Sequence, residues 1–358
     1  MTGTILLSAG ENQLRFEPDC GYLTDLRLSD QGQAIMPLHK AQWLGEAMPG
    51  DAPRHQARLQ GDFIAAPFGP GALGLHGAAN GQWQLTPSPE GVLRAVYQGE
   101  IQGASLVKEL SFEPDQPFLY QRHLFIGGSG SLAFANHAMV ALTGTAKLSF
   151  SRKRWFETLD TPLEADPSRG RSALKYPARM EDGSEFPGAD GGAVNLHHYP
   201  WGEAHEDFVA AVEEPASPLG WTAVVRLDQG DVFLSLRNPR QLPMTMLWHS
   251  NGGRDYAPWN GRHRGCLGVE EGAALPVLGL SSRESPDPLS AAGQAPLLQL
   301  EPQGTRDMRH ILGAIRWPSG QAVAGVRLEG DLLTVTGDWG AERQLPIRGG
   351  WLAGASCS

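Results

Sequence analysis

LVKELSFEPDQPFLYQRHLFIG at 106–127 decides what kind of fold this chain can form. Two strand-like runs, 106–113 and 118–127, flank a Pro-Asp-Gln-Pro turn. In the first run Leu106, Leu110 and Phe112 fall on one side, while Glu109, Ser111 and Glu113 fall on the other. That period of two is the signature of a strand with one buried face. Proline in the turn fixes the backbone and donates no hydrogen bond, so it ends both runs. The same texture recurs in TILLSA (4–9), QLRFEP (13–18), VLRAVYQ (92–98), TAVVRLD (222–228) and DVFLSLRN (231–238), each bounded by turn residues. Amphipathic helices are scarce. ARMEDG (178–183) is the best helical candidate and is short, and HEDFVAAVEEP (205–215) reads equally as helix or strand. Many short strands without interleaved helices predict an all-β chain, a large antiparallel β-sandwich or barrel. Residues 157–205 and 281–296 read as long surface loops, the kind of segment that often carries sites. The chain divides into a main unit, 1–317, and a C-terminal β extension, 318–358, expected to pack on it.

Composition narrows the function. The 358 residues hold 45 Gly and 27 Pro spread along the chain, consistent with many turns. Against 29 basic residues stand 39 acidic ones, a net charge of −10, which argues against a nucleic-acid surface. Cys20, Cys266 and Cys357 are far apart and odd in number, so no disulfide framework is expected. The N-terminal stretch lacks the basic and long apolar parts of a secretory leader, and no segment is apolar enough to span a bilayer. A cytoplasmic protein with a small-molecule ligand is the expectation, with no membrane partner and the oligomeric state open.

RGCLGVEEG (264–272) sets two carboxylates side by side. In a strand Cys266, Gly268 and Glu270 share one face, whereas Leu267, Val269 and Glu271 share the other. Glu270 thus sits on a face with little bulk that a ligand can approach, and Glu271 is expected to be a solvated or supporting charge. Three other stretches carry chemistry. The Gly-rich segment 61–83 contains His76 within Leu-His-Gly, FANHAMV (134–140) contains Asn136 and His137, and Trp248 lies upstream of Glu270. Trp248 and Phe68 offer apolar platforms for a ring-shaped ligand. HHYPWGEAHED (197–207) holds His197, His198 and His205 but lacks the spacing of a zinc motif, so no metal is expected there.

The order of these stretches resembles the galactose mutarotase-like superfamily, in particular the aldose 1-epimerases, from about Gly61 to Ile315. The matching elements are Leu-His-Gly (75–77), Asn-His (136–137), Leu-Gly-Val-Glu (267–270) and the closing LEPQGTRDMRHILGAI (300–315). The resemblance implies a supersandwich with a sugar on its concave face, Glu270 as general base, His137 as general acid, and His76 holding the sugar near its ring oxygen. It also implies that Asp207 binds a sugar hydroxyl, with Asp62 a weaker candidate, and that neither metal nor organic cofactor is needed. Near neutrality Glu is expected to be ionised and His partly protonated, from ordinary values of about 4.3 and 6.5. Two departures limit the substrate. Asn80 stands where hexose-phosphate relatives carry a cation, and the Arg of galactose-specific members is missing, with Arg122 and Arg254 the candidates to supply a cation from elsewhere. The implied activity is interconversion of the anomers of a free aldose. Other readings are a non-catalytic sugar-binding sandwich and a different carbohydrate enzyme on the same fold. A two-carboxylate hydrolase cannot use Glu270 with Glu271, which point to opposite faces.

Overall fold

The computed structural model describes residues 3–50, 52–69, 77–318 and 320–353. Every strand pair in its sheets is antiparallel, and two large sheets dominate. One has eleven strands among the described residues. At its centre the order is Asp62–Ala65, Phe134–Ala141, Cys266–Ala273, Met244–Asn251 and His205–Glu213. The other has nine, with Gly220–Arg226, Asp231–Arg237, Thr305–Arg316, Phe118–Gly127 and Ala104–Phe112 in the middle. The two runs of the 106–127 stretch pair with each other, Leu106 opposite Phe125 and Leu110 opposite Gln121.

Three apolar layers explain why so many strand residues are buried on both faces. Between the large sheets lie Ile64, Phe134, Val140, Leu247 and Val269 from one and Leu106, Leu119, Phe125, Phe233 and Leu312 from the other. The outer face of the nine-stranded sheet, with Trp221, Leu234 and Ile311, is covered by Leu333, Val335 and Leu345 of a three-stranded sheet, Val323–Glu329, Leu332–Gly337 and Glu342–Pro346. Asp30 accepts hydrogen bonds from Arg343 and from the Arg316 backbone, which ties that sheet to the main body. The free face of the eleven-stranded sheet carries Phe63, Met139, Phe208, Met246 and Trp248, roofed by Trp43, Leu59, Phe68, Trp259 and Val277 from loops.

Two local expectations are corrected. ARMEDG is not helical: Arg179–Met180 is a short edge strand, followed by a turn capped by Asp182. The ambiguous 205–215 segment is the strand His205–Glu213, buried on both faces, which is why its hydrophobic pattern fits neither period cleanly.

Candidate functional site

Cross-strand register builds the site. His137 stands opposite Phe63 on one side and Glu270 on the other, and Glu270 stands opposite Met246. One residue-pair along the same face, Trp248 stands between Phe208 and Gly268. Residues directly opposite share a face, so this block of aromatic and ionisable side chains projects together from the free face of the sheet. Gly268 makes the block possible. A Cβ there would lie 2.8 Å from Glu270 Oε1 and 2.9 Å from Trp248 Cβ, so only glycine lets the carboxyl and the indole sit side by side.

The resulting cavity has a volume of about 400 Å³, within the range of small-molecule sites. Its polar groups are Glu270, His137, His55, Gln56 and Arg254, set among Phe63, Phe68, Phe208, Trp248 and Trp259. Glu270 Oε1 lies 3.1 Å from His137 Nε2. Glu270 Oε2 and His137 Nδ1 have no hydrogen-bond partner among the described residues. The imidazole stacks on Phe63 at 4.4 Å, which stacks in turn on Tyr22, and meets the edge of Trp248. These rings leave little freedom to the histidine.

Burial decides the protonation of the pair and overturns the expectation from ordinary values. It pushes the Glu270 carboxyl well above the usual carboxylate range. It also pushes His137 down to about 3, with the neighbouring His55 adding to the drop. Each group therefore favours its neutral form, with the two 3.1 Å apart.

Arg254 reaches into the cavity from the 252–265 loop and lies over the Trp259 ring at 4.4 Å. Its charge is matched by Glu206, 3.2 Å away, which also accepts from Trp248 Nε1 and Ser250 Oγ. His55 enters from the short helix Arg54–Ala57. Asn80 Oδ1 accepts the His55 backbone N–H at 2.6 Å and lies 3.2 Å from its ring. Trp43 backs the aromatic wall, 4.8 Å from Trp259 and edge-on to it, while Trp248 and Trp259 are perpendicular at 6.0 Å.

Glu270, His137 and Trp248 come together here, with Phe68 and Arg254. Asn80 does not line the cavity but holds His55, which does. Asn136 and Asp207 point the other way. Asn136 is paired with Glu271 and Ile64 on the face toward the second sheet. Asp207 turns its oxygens to the Ala173 and Leu174 backbone and to Tyr176, so it anchors the 172–176 loop instead of reaching a ligand. Asp62 is likewise turned inward and bonds Gln121. Arg122 pairs with Asp307 and Glu109 on the other sheet. His76 lies outside the described residues. Glu271 is neither solvated nor at the cavity. It is fully buried between the sheets, accepting from Thr222, Ser235 and Thr245, with Arg237 Nη1 at 2.9 Å. The sequence reading missed His55, Glu206 and Trp259. Trp259 stands in a Pro-Trp-Asn-Gly turn whose role only loop packing reveals, and His55 carried no local signal.

No family model and no curated protein matches the chain. Solved structures do. A protein of Synechocystis sp. is 14% identical over 88% of this chain and 96% of its own, with a TM-score of 0.54. A candidate aldose 1-epimerase from Escherichia coli is 12% identical over 87% of this chain and 98% of its own, with a TM-score of 0.53. Another from Klebsiella pneumoniae is 12% identical over 86% and 77%, at 0.50. The chain thus has a galactose mutarotase-like fold, an all-β supersandwich. The fold is one that carbohydrate-active enzymes use, and no helix among the described residues is long and apolar enough to cross a membrane.

Proposed function

We propose that the protein is a mutarotase-like isomerase that interconverts the α and β anomers of a free aldose, with Glu270 and His137 as its proton-transfer groups. The observation that carries this reading is the Glu270–His137 contact inside an aromatic-walled cavity. Ring opening requires that the anomeric hydroxyl lose its proton while the ring oxygen gains one. Glu270 takes the first proton as the C1–O5 bond breaks; the bond's electron pair goes to O5, which takes a proton from His137 Nε2. After rotation about C1–C2, the reverse transfers close the ring on the other face.

The pair holds one proton before and after each half-reaction. Burial places that proton on Glu270 in the sugar-free site, and the direct contact gives it a path to His137 once sugar hydroxyls surround the pair. Phe63, Phe68 and Trp248 offer apolar surface to the faces of a pyranose. Arg254, already matched by Glu206, is the only Lys or Arg lining the cavity among the described residues, which favours a neutral sugar over a phosphate.

The test is the decay of optical rotation of fresh α-anomers, over neutral aldoses and sugar phosphates, with wild type, Glu270→Gln and His137→Asn. The proposal expects acceleration of at least one neutral aldose and a loss of about 10²–10⁴-fold in each variant. Sugar binding without any acceleration by wild type would make the protein a binding module and defeat the reading.

A further inference from the structure

Behind the aromatic wall, His39, His263 and Cys266 place one potential ligand atom each within 4.8 Å of one another, all three residues being buried. Their surroundings show which ring nitrogens are uncommitted. Ser250 Oγ donates its hydrogen to Glu206 at 2.8 Å, so its 2.6 Å contact with His263 Nδ1 is one in which the ring N–H donates. That leaves His263 Nε2 as a bare lone pair, and it has no partner among the described residues. The His39 ring lies against the backbone of Gly265, and its Nε2 is also without a partner among them. Both side chains are more than nine-tenths buried, at 7% and 1% exposure. Two buried imidazoles beside a buried thiol, each with a ring nitrogen left unpartnered, form a donor set of the kind that binds metal. Uncompensated lone pairs in an apolar interior are costly, and a cation would satisfy both at once.

The geometry points to a second site in this protein: a His39–His263–Cys266 centre for a thiophilic d10 ion, zinc or cuprous copper. Two imidazole nitrogens and a thiolate suit such ions, which impose no ligand-field geometry and tolerate a three-residue set. Binding would release the Cys266 proton to solvent as the thiolate forms, with no change of oxidation state. Bond lengths of about 2.0–2.3 Å put ligand atoms roughly 3.3–3.8 Å apart, so closure asks for inward shifts on the order of 1 Å. His39 lies in the 36–41 segment and His263 in the 252–265 loop, and the backbone of each is hydrogen-bonded to a neighbour, so the shift falls on the side chains. Cys266 begins the strand that carries Glu270. The ion would therefore clasp that loop, with its cavity residues Arg254 and Trp259, to the sheet beneath. His263 also stacks on Trp248 at 5.5 Å, which connects the centre to the cavity wall. The histidines of the 197–207 stretch do not join this group.

The experiment loads the full-length protein with zinc, or with cuprous ion under anaerobic reducing conditions, against a chromophoric competitor, and measures bound metal by elemental analysis. Cobalt substitution reports the ligands. One equivalent per chain, a thiolate-to-cobalt charge-transfer band and a raised Tm are expected, and the two ions' competition constants decide between them. Cys266→Ser, His39→Asn and His263→Asn should each weaken binding more than 100-fold, and Ser250→Ala about 10–100-fold through the freed imidazole. Cys20→Ser, at a separate buried thiol, should leave binding intact. If Cys266→Ser does not fold, His39→Asn and the wild-type cobalt spectrum still decide. Failure of wild type to hold either ion, a cobalt spectrum without the thiolate band, or full affinity in His39→Asn would overturn the site. None of these readouts depends on sugar turnover.

Discussion

Changing Glu271 to Gln should break the fold's stability, while the same change at its neighbour Glu270 should break only chemistry. Glu271 is fully buried and accepts from three hydroxyls at 2.8–2.9 Å, with Arg237 Nη1 at 2.9 Å. An amide keeps the shape but has one acceptor. Its NH2 group, placed at the Oε2 position, would face the Arg237 guanidinium, donor against donor. Placed the other way, it meets the Thr222 and Ser235 hydroxyls. One charge-assisted bond is lost in either case, and Arg237, itself with no exposure, keeps Glu213 as its remaining anionic partner. Removing one member of a buried pair costs about 3–5 kcal/mol, a large share of a typical total of about 5–15 kcal/mol. With a urea m-value of about 3 kcal/mol/M, the midpoint should fall by about 1 M or more. Glu270→Gln replaces a carboxyl that burial already keeps neutral, and its amide can still donate to His137, so stability should change by less than about 1 kcal/mol. Urea unfolding followed by far-ultraviolet circular dichroism, with mutarotation rates on the same samples, separates the two. A Glu271→Gln midpoint equal to wild type, or an equal loss in Glu270→Gln, would refute the assignment of opposite faces to opposite tasks.

Gly268→Ala should lower the mutarotation rate by at least tenfold with folding retained, because the new Cβ displaces the Glu270 carboxyl or the Trp248 ring; kcat and a circular dichroism spectrum check it. Asn80→Ala should raise KM several-fold at similar kcat, since it frees His55 and not the proton-transfer pair. The rate should show no inflection at the ordinary carboxylate value of about 4.3. The pair works with one proton, a second enters only near the lowered value of His137, about 3, and the last leaves above the ordinary carboxylate range. An inflection near about 4.3 in kcat would contradict this. Stability should fall as pH drops below 6.5, because His123, His137, His249 and His310 stay neutral when folded while the unfolded chain takes up protons. Each contributes about 1.4 kcal/mol per pH unit over its window. Glu270, held neutral when folded, opposes this over the same range, and Asp62 and Asp207, raised to about 6, add their opposition around and below that value, so denaturant midpoints at pH 6.5 and 6.0 read the four histidines with the least carboxyl opposition.

How much of this was legible in sequence follows from what each feature depends on. Strand period alone separated Glu270 from Glu271, since alternation is local. It could not say that the second face is also interior, so it left Glu271 as a solvated or supporting charge, and the residue lies under the other sheet. Asp207 sits next to cavity-lining Phe208 in the chain, and alternation turns it away, a clue that was available once the segment is taken as a strand. The protonation of His137 was misjudged because burial is a tertiary quantity. His55 and Trp259 reach the cavity from loops, and no local pattern marks a loop residue's destination. The fold itself was readable because turn residues punctuate nearly every strand.

The indoles of Trp43, Trp259 and Trp248 meet at steep angles over 4.8 and 6.0 Å. Chromophores so near and so crossed exchange excitation, and their coupled transitions rotate light far more strongly than isolated rings. The wall of the cavity is thus a built-in optical antenna. A sugar slipping against Trp248, or an ion drawing on His263 behind it, would tilt one member of the trio and alter the near-ultraviolet couplet, giving an occupancy signal without any label.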